Sequence, residues 1–258
     1  MQKKGNNCTM MVSRFFIRFM FLCIILLGLA GSLQAQHYPD WFLNPTLIHC
    51  TYSISGIAEK SYLSDSAISY AKNNGLLQQN LNNGIIVHAA ASYWGTEAGK
   101  YCIWRTYEET PYTTVTNNQD FQRQTRKIFI NENLVFVLLV DTVCEASGSN
   151  VQSLDVNKVS TPQWIESIPE SSDYWYAVGI APKYYYETSS WSQAEQEARK
   201  YLAFSKGISI RDVTKVSGSG ESKQVLEVEV ELKNIEVVAR WRNIKHDLFY
   251  CLLRCPKQ

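Results

Sequence analysis

The sequence predicts an α+β protein built from two tandem copies of a small domain, each with one helix packed on a mainly antiparallel sheet in the order β-α-β-β-β-β. Three observations predict it. Short motifs recur at one constant spacing. Runs of alternating apolar and polar residues mark strands with one wet face. An alanine-containing stretch in the second half carries apolar residues at helical spacing, with a weaker helical run at the matching place in the first. The recurrence is the strongest of the three. Pro39-Asp40-Trp41 returns as Pro162-Gln163-Trp164, Gly56-Ile57-Ala58 as Gly179-Ile180-Ala181, and Gly84-Ile85 as Gly207-Ile208, all after a shift of 123 positions. Lys60, Tyr62, Ser69 and Ala71 match Lys183, Tyr185, Ser192 and Ala194 in the same register. The far ends match with a smaller shift: Asn133 to Leu139 resembles Asp247 to Leu253.

The elements follow in chain order. Residues 1–35 read as a cleavable signal peptide. Lys3, Lys4, Arg14 and Arg18 form its basic start, Phe19 to Ala30 its apolar centre, and the cut falls between Ala35 and Gln36. Residues 36–145 form the first repeat, 146–161 a polar linker and 162–258 the second repeat. In the first, Tyr52 to Ala58 is a strand, Ser64 or Asp65 caps a helix, Ile85 to Ser92 is the next strand, and Lys127 to Val140 is a hairpin turning at Asn131-Glu132-Asn133. In the second, Tyr174 to Ala181 is a strand ended by Pro182. Ser189 or Ser190 caps a helix running to about Lys206 and closed by Gly207, its apolar stripe being Trp191, Ala194, Ala198, Tyr201, Leu202 and Ser205. Ile208 to Val216 and the alternating Leu226, Val228, Val230 and Leu232 are strands joined by a turn at Ser217 to Gly220. Ile235 to Asn243 and Leu248 to Cys255 form a hairpin around Lys245-His246-Asp247.

In each half a Pro-x-Trp entry, a strand ending in Gly-Ile-Ala, an alanine-spaced helix and a closing hairpin succeed one another. This pattern resembles the Lpp-twenty bacterial lipoprotein family over Pro39 to Asp141 and Pro162 to Cys255. The stretch from Leu232 to Val238, followed by Trp241 and Tyr250, also resembles that family's end. The resemblance implies a non-enzymatic, envelope-associated structural or accessory role. Met20-Phe21-Leu22 before Cys23 is not the run of small residues a lipoprotein signal needs, so the chain departs from the family there.

A formal net charge of +1 gives no basic excess for nucleic acid. His37, His49, His88 and His246 are scattered without metal-ligand spacing, and no phosphate-loop or nucleophile-elbow motif occurs, so no cofactor, metal or catalytic site is expected. Trp41 and Trp164 read as plugs that pack each chain entry onto its sheet. Gly56 and Gly179 read as strand-ending glycines that permit a bulge or a positive φ. Glu108 and Glu109 read as solvated, and Glu195, Glu197, Arg199 and Lys200 as the wet face of the second helix, with a Glu195–Arg199 pair along it. Cys50, Cys102, Cys144, Cys251 and Cys255 read as scattered, buried residues whose pairing stays open; Cys251 and Cys255 are too far apart for a direct disulfide unless their strand ends between them, which Pro256 makes possible. The candidate partner-binding residues are Tyr174, Tyr176, Tyr184, Tyr185 and Tyr186, gathered with Trp191 around one aromatic loop. The expected function is that of an exported, periplasmic or outer-membrane-associated, non-catalytic accessory or structural protein binding another envelope component, a protein or a glycan. The alternative is a glycan- or peptidoglycan-binding module using that loop.

Overall fold

The computed structural model of the chain describes residues 37–48, 53–96, 99–111, 124–140, 153–207, 209–215 and 222–257. The signal peptide, the Ser217 to Gly220 turn, Cys50 and Cys144 lie outside the described residues. From His37 to Gln258 the chain forms one compact unit.

The first half contains β1 (His37–Pro39), α1 (Asp40–Leu43), β2 (Ser53–Glu59), α2 (Ser64–Asn83), β3 (Gly84–Thr96), β4 (Gly99–Pro111), β5 (Gln124–Ile130) and β6 (Leu134–Val140). The second contains β7 (Ser153–Asp155), α3 (Gln163–Glu166), β8 (Tyr174–Pro182), α4 (Glu187–Gly207), β9 (Ser209–Lys215), β10 (Ser222–Lys233), β11 (Glu236–Asn243) and β12 (Leu248–Pro256). The fold is α+β, with helices packed on antiparallel sheets.

Two three-stranded sheets have the same plan, β2-β6-β5 and β8-β12-β11. Gly56 pairs with Val137 and Gly179 with Cys251; Glu59 pairs with Leu134 and Pro182 with Leu248. The helix sits on each sheet at the same place. A Cβ on Gly56 would come 1.9 Å from the Ala71 carbonyl oxygen, and one on Gly179 would come 1.9 Å from that of Ala194. The glycines therefore serve close helix–strand approach in the middle of a strand. They do not end the strand or bring in a positive φ, as their sequence setting suggested. Positive φ occurs instead at Asn234 (53°) and Asp247 (50°), both at strand-connecting turns, where Asn and Asp tolerate it best.

The four-stranded sheet, in the order β4-β3-β10-β9, joins the halves. β3 of the first half pairs antiparallel with β10 of the second over its whole length, from Gly84↔Lys233 to Gly95↔Ser222. β4 is a thirteen-residue strand in the segment between Ser92 and Lys127, to which the sequence assigned no element. The core is shared as well. Phe42 and Phe136 from the first half stack edge-on with each other at 4.9 Å, and Phe42 meets Trp191 of the second half at 5.4 Å. Trp191 then meets Phe249 at 4.9 Å. Leu134, Phe136, Leu138 and Val140 enter this shared core, while Val135, Val137 and Leu139 enter a smaller one under α2. The unbroken apolar run of β6 thus reflects a strand buried on both faces.

Several local expectations change. Neither Ser64 nor Asp65 caps α2; Leu63 holds the cap position with no side-chain bond. α4 begins at Glu187, ahead of the expected cap, and Ser190 Oγ accepts a hydrogen bond from the Tyr184 backbone at 2.8 Å. Tyr201 and Ser205 are exposed, whereas Ala203 and Phe204 are buried. Trp41 is buried as a plug, but Trp164 is only half-buried. Part of the linker is built into the fold, since β7 pairs with β1 and Val156 is buried. Among the described residues, no helix is long and apolar enough to cross a membrane.

Candidate functional site

The five candidate tyrosines do not form one loop. Tyr174 and Tyr176 lie at the start of β8; Tyr184, Tyr185 and Tyr186 lie beyond its end, past about 26 Å of extended strand. Trp191, expected beside them, is buried in the shared core. Two separate aromatic features result.

The first is a row across the β8-β12-β11 sheet. Glu236 of β11 pairs with Arg254 of β12, which pairs with Tyr176 of β8. The Arg254 guanidinium lies 4.5 Å from the Tyr174 ring centre and donates to Glu236 at 2.7 Å. Burial opposes the Arg254 charge, but Tyr176 and Glu236 together hold its pKa above the usual arginine value. Next to the row, Pro169 to Ser172, Tyr174, Trp175, Tyr176 and Lys257 line an open cleft of about 460 Å³, with the Lys257 ammonium 4.5 Å from the Trp175 ring centre.

The second is the tip formed by Tyr184, Tyr185 and Tyr186. Tyr185 is 94% exposed and packs edge-on against Tyr186 at 4.9 Å. The tip is held from both sides, by Ser190 on α4 and by the Lys183 backbone donating to the Asp247 carbonyl at 2.9 Å. It presents three consecutive aromatic rings on an anchored backbone.

The sequence reading missed a set of buried ion pairs. Glu195, Arg199 and Lys200 are buried, and the wet face assigned to them is wrong. Arg199 pairs with Glu109, at 2.8 Å and 3.1 Å, from side chains only 4% and 8% exposed. The expected solvation of Glu109 fails with it, although Glu108 is exposed. Burial opposes the Arg199 charge, but Glu109 beside it raises the Arg199 pKa above the usual value. Tyr107 donates to the same Glu109 carboxylate, and burial together with that carboxylate pushes the phenol pKa far up. Glu195 accepts from Arg240, which also donates to the Phe42 carbonyl at 2.8 Å and to Ser55 Oγ at 3.2 Å. Arg242 donates to Glu187 at 2.9 Å and to the Tyr38 hydroxyl at 2.8 Å. Each network ties the second half to a group of the first. A signal for them was present: Glu195 and Arg199 fall four and eight residues after Trp191, on the buried stripe, and Arg240 and Arg242 share one face of β11.

The halves also enclose a cleft of about 440 Å³. Gln78, Gln79, Asn82 and Asn83 at the end of α2 line it, facing Arg240 and Arg254. Cys251 and Cys255 are free and buried, and burial pushes both thiols up, so neither is poised as a nucleophile. Among the described residues, no group of three or more His, Cys, Asp or Glu side chains is placed to hold a metal ion. Comparison with family models, with curated proteins and with solved structures gave no match to this chain.

Proposed function

We propose that the chain is an exported, non-catalytic cell-envelope accessory protein that binds another envelope component through the Tyr184-Tyr185-Tyr186 tip. The observation carrying this reading is the exposure of three consecutive tyrosines on a backbone fixed by Ser190 and Asp247. Tyrosine offers a large amphipathic contact area with few rotatable bonds, which suits a binding face. The charged residues of α4 and β11 support the same reading, because their ion pairs tie the halves together. The signal-peptide pattern of residues 1–35, the repeated motifs and the resemblance to the Lpp-twenty lipoproteins support binding in the periplasm or at the outer membrane. The equal strand order and register of the two small sheets support a tandem duplication. A photo-crosslinking residue at Tyr185, tested in native cells, gives a discrete adduct that is absent when the probe sits at exposed Lys158. Identical patterns from both positions reject the reading.

A second reading has its own observation. The Glu236–Arg254–Tyr176 row, with Tyr174 and the adjoining cleft, combines aromatic faces with charged hydrogen-bonding groups, as a glycan- or peptidoglycan-binding surface does. Soluble peptidoglycan fragments then change the tryptophan fluorescence of the parent and not of Tyr176→Ala. An unresponsive parent removes this alternative.

A further inference from the structure

We infer that the chain associates head to tail with a second copy of itself, the outer edge of β9 on one chain pairing with the outer edge of β4 on the next. The joint between β3 and β10 is the template. That joint is not symmetric between the halves, for it uses the strand after the helix in the first half and the following strand in the second. The counterparts of these strands are β9 and β4. They are the two edge strands of the four-stranded sheet, and among the described residues neither pairs on its outer side. Strand directions alternate throughout the sheet, so β4 of a second chain set beside β9 continues the antiparallel order.

The helices supply the independent argument. In the joint, β4 of the first half covers one flank of α4, with Glu109 on Arg199 and Tyr107 beside Lys200. Moved back by 123 positions, Arg199 and Lys200 become Leu76 and Leu77 of α2, which are 41% and 62% exposed. The position corresponding to Glu109 changes in the same sense. Glu109 pairs with Val87, and the counterpart of Val87, Ile210, pairs with Leu226. At the positions that hold Arg199 and Glu109 in the internal joint, the sequence therefore has Leu76 and Leu226 in the joint between chains. An unpaired sheet edge is a ready template for another strand, and the exposed leucines of α2 offer apolar surface for the strand's neighbours to cover. The contact uses different surfaces on the two partners, so it closes into a ring or grows as an open series.

The test is sedimentation of the full exported protein over a range of concentrations. The parent associates reversibly, whereas Leu76→Glu/Leu77→Glu needs at least about a hundredfold more protein and is monomeric over the parent's range, because the apolar burial at two leucines is lost. Both positions are on the surface, so the variant keeps the parent's circular dichroism. Thr214→Pro obstructs the β9 edge; should it unfold, Thr214→Lys replaces it. Each blocked variant alone is monomeric, and the leucine variant mixed with the β9-edge variant forms a one-to-one pair, each lending its intact surface. A parent that is monomeric at every concentration overturns the inference. So does a leucine variant that associates like the parent, or a mixture of blocked variants that forms no pair.

Discussion

α2 and α4 lie on equivalent sheets in the same register, yet their polarity runs opposite to their burial. α4 packs on β8 and β12 with one face and against β10 and β3 with another, and it buries Glu195, Arg199 and Lys200. α2 packs on β2 and β6, buries only Ala67, Ala71 and Gly75, and exposes Tyr70, Leu76 and Leu77. The shared feature is the glycine-to-alanine contact, which sets how near each helix comes. The difference is what lies on the outer flank. Over α4 it is the four-stranded sheet, to which the other half lends β3 and β4, and charged residues there are kept only because each finds a partner. Among the described residues, no such sheet covers the flank of α2 that carries Leu76 and Leu77.

The largest expected effect tests that charge pairing. Arg199→Leu gives α4 the residue that α2 carries at this position and leaves the Glu109 carboxylate buried without its guanidinium. It costs about 3–5 kcal/mol in denaturant unfolding. Glu109→Leu combined with Arg199→Leu removes both charges and recovers part of that loss, falling short of the parent by about 1–3 kcal/mol because the Tyr107 hydroxyl is left without its acceptor. If the double variant is as unstable as the single, Arg199 acts through packing rather than through its charge.

Next comes the helix–strand approach. Gly179→Ala forces a Cβ against the Ala194 carbonyl oxygen and lies 2.3 Å from the Ala198 nitrogen; both are backbone atoms and neither can rotate away. About 3 kcal/mol or more is lost, with a similar loss for Gly56→Ala. Gly75→Ala differs. Its nearest neighbour is 3.1 Å away, the second half already has Ala198 there, and the gain in helix propensity of about 1 kcal/mol offsets the crowding. Its unfolding midpoint stays near the parent's. A Gly75→Ala loss as large as that of Gly179→Ala would show that the two helices do not dock alike.

Ala198 carries a smaller effect of the same kind. It is fully buried, and Ala198→Leu overpacks the contact by about 1–3 kcal/mol. An unchanged midpoint would place the buried face of α4 elsewhere.

What the sequence made legible was the set of elements whose signals are local or repeated. The 123-residue shift located Gly56 and Gly179, Ala71 and Ala194, and these pairs occupy equivalent places. The closing hairpins were legible from their turn residues, and β10 from its alternation. What was not legible depends on partners distant in sequence. Glu109 is ninety residues from Arg199, so nothing near either residue shows that they meet. The tyrosines were close in sequence but are divided by β8, which is extended and carries its two ends far apart. The glycines were noticed for the right positions and the wrong reason, since a close approach is invisible until the helix is laid on the strand.

The smallest effects come from exchanging one position between the helices. Lys200 is 7% exposed; its ammonium bonds Glu197 at 2.6 Å and lies 4.8 Å from the Tyr107 ring centre. Lys200→Leu removes both attractions, but Glu197 keeps its bond from Gln193 and part of its access to water, so about 1 kcal/mol is lost. Leu77→Lys makes the reverse exchange on α2. The side chain is 62% exposed, and leucine and lysine have similar helix propensities, so the change stays within about 0.5 kcal/mol at concentrations where the chain is monomeric. Denaturant unfolding of both variants beside the parent reads the difference. Should Leu77→Lys prove the more damaging under those conditions, the flank of α2 is covered within the single chain, and the contrast between the helices disappears.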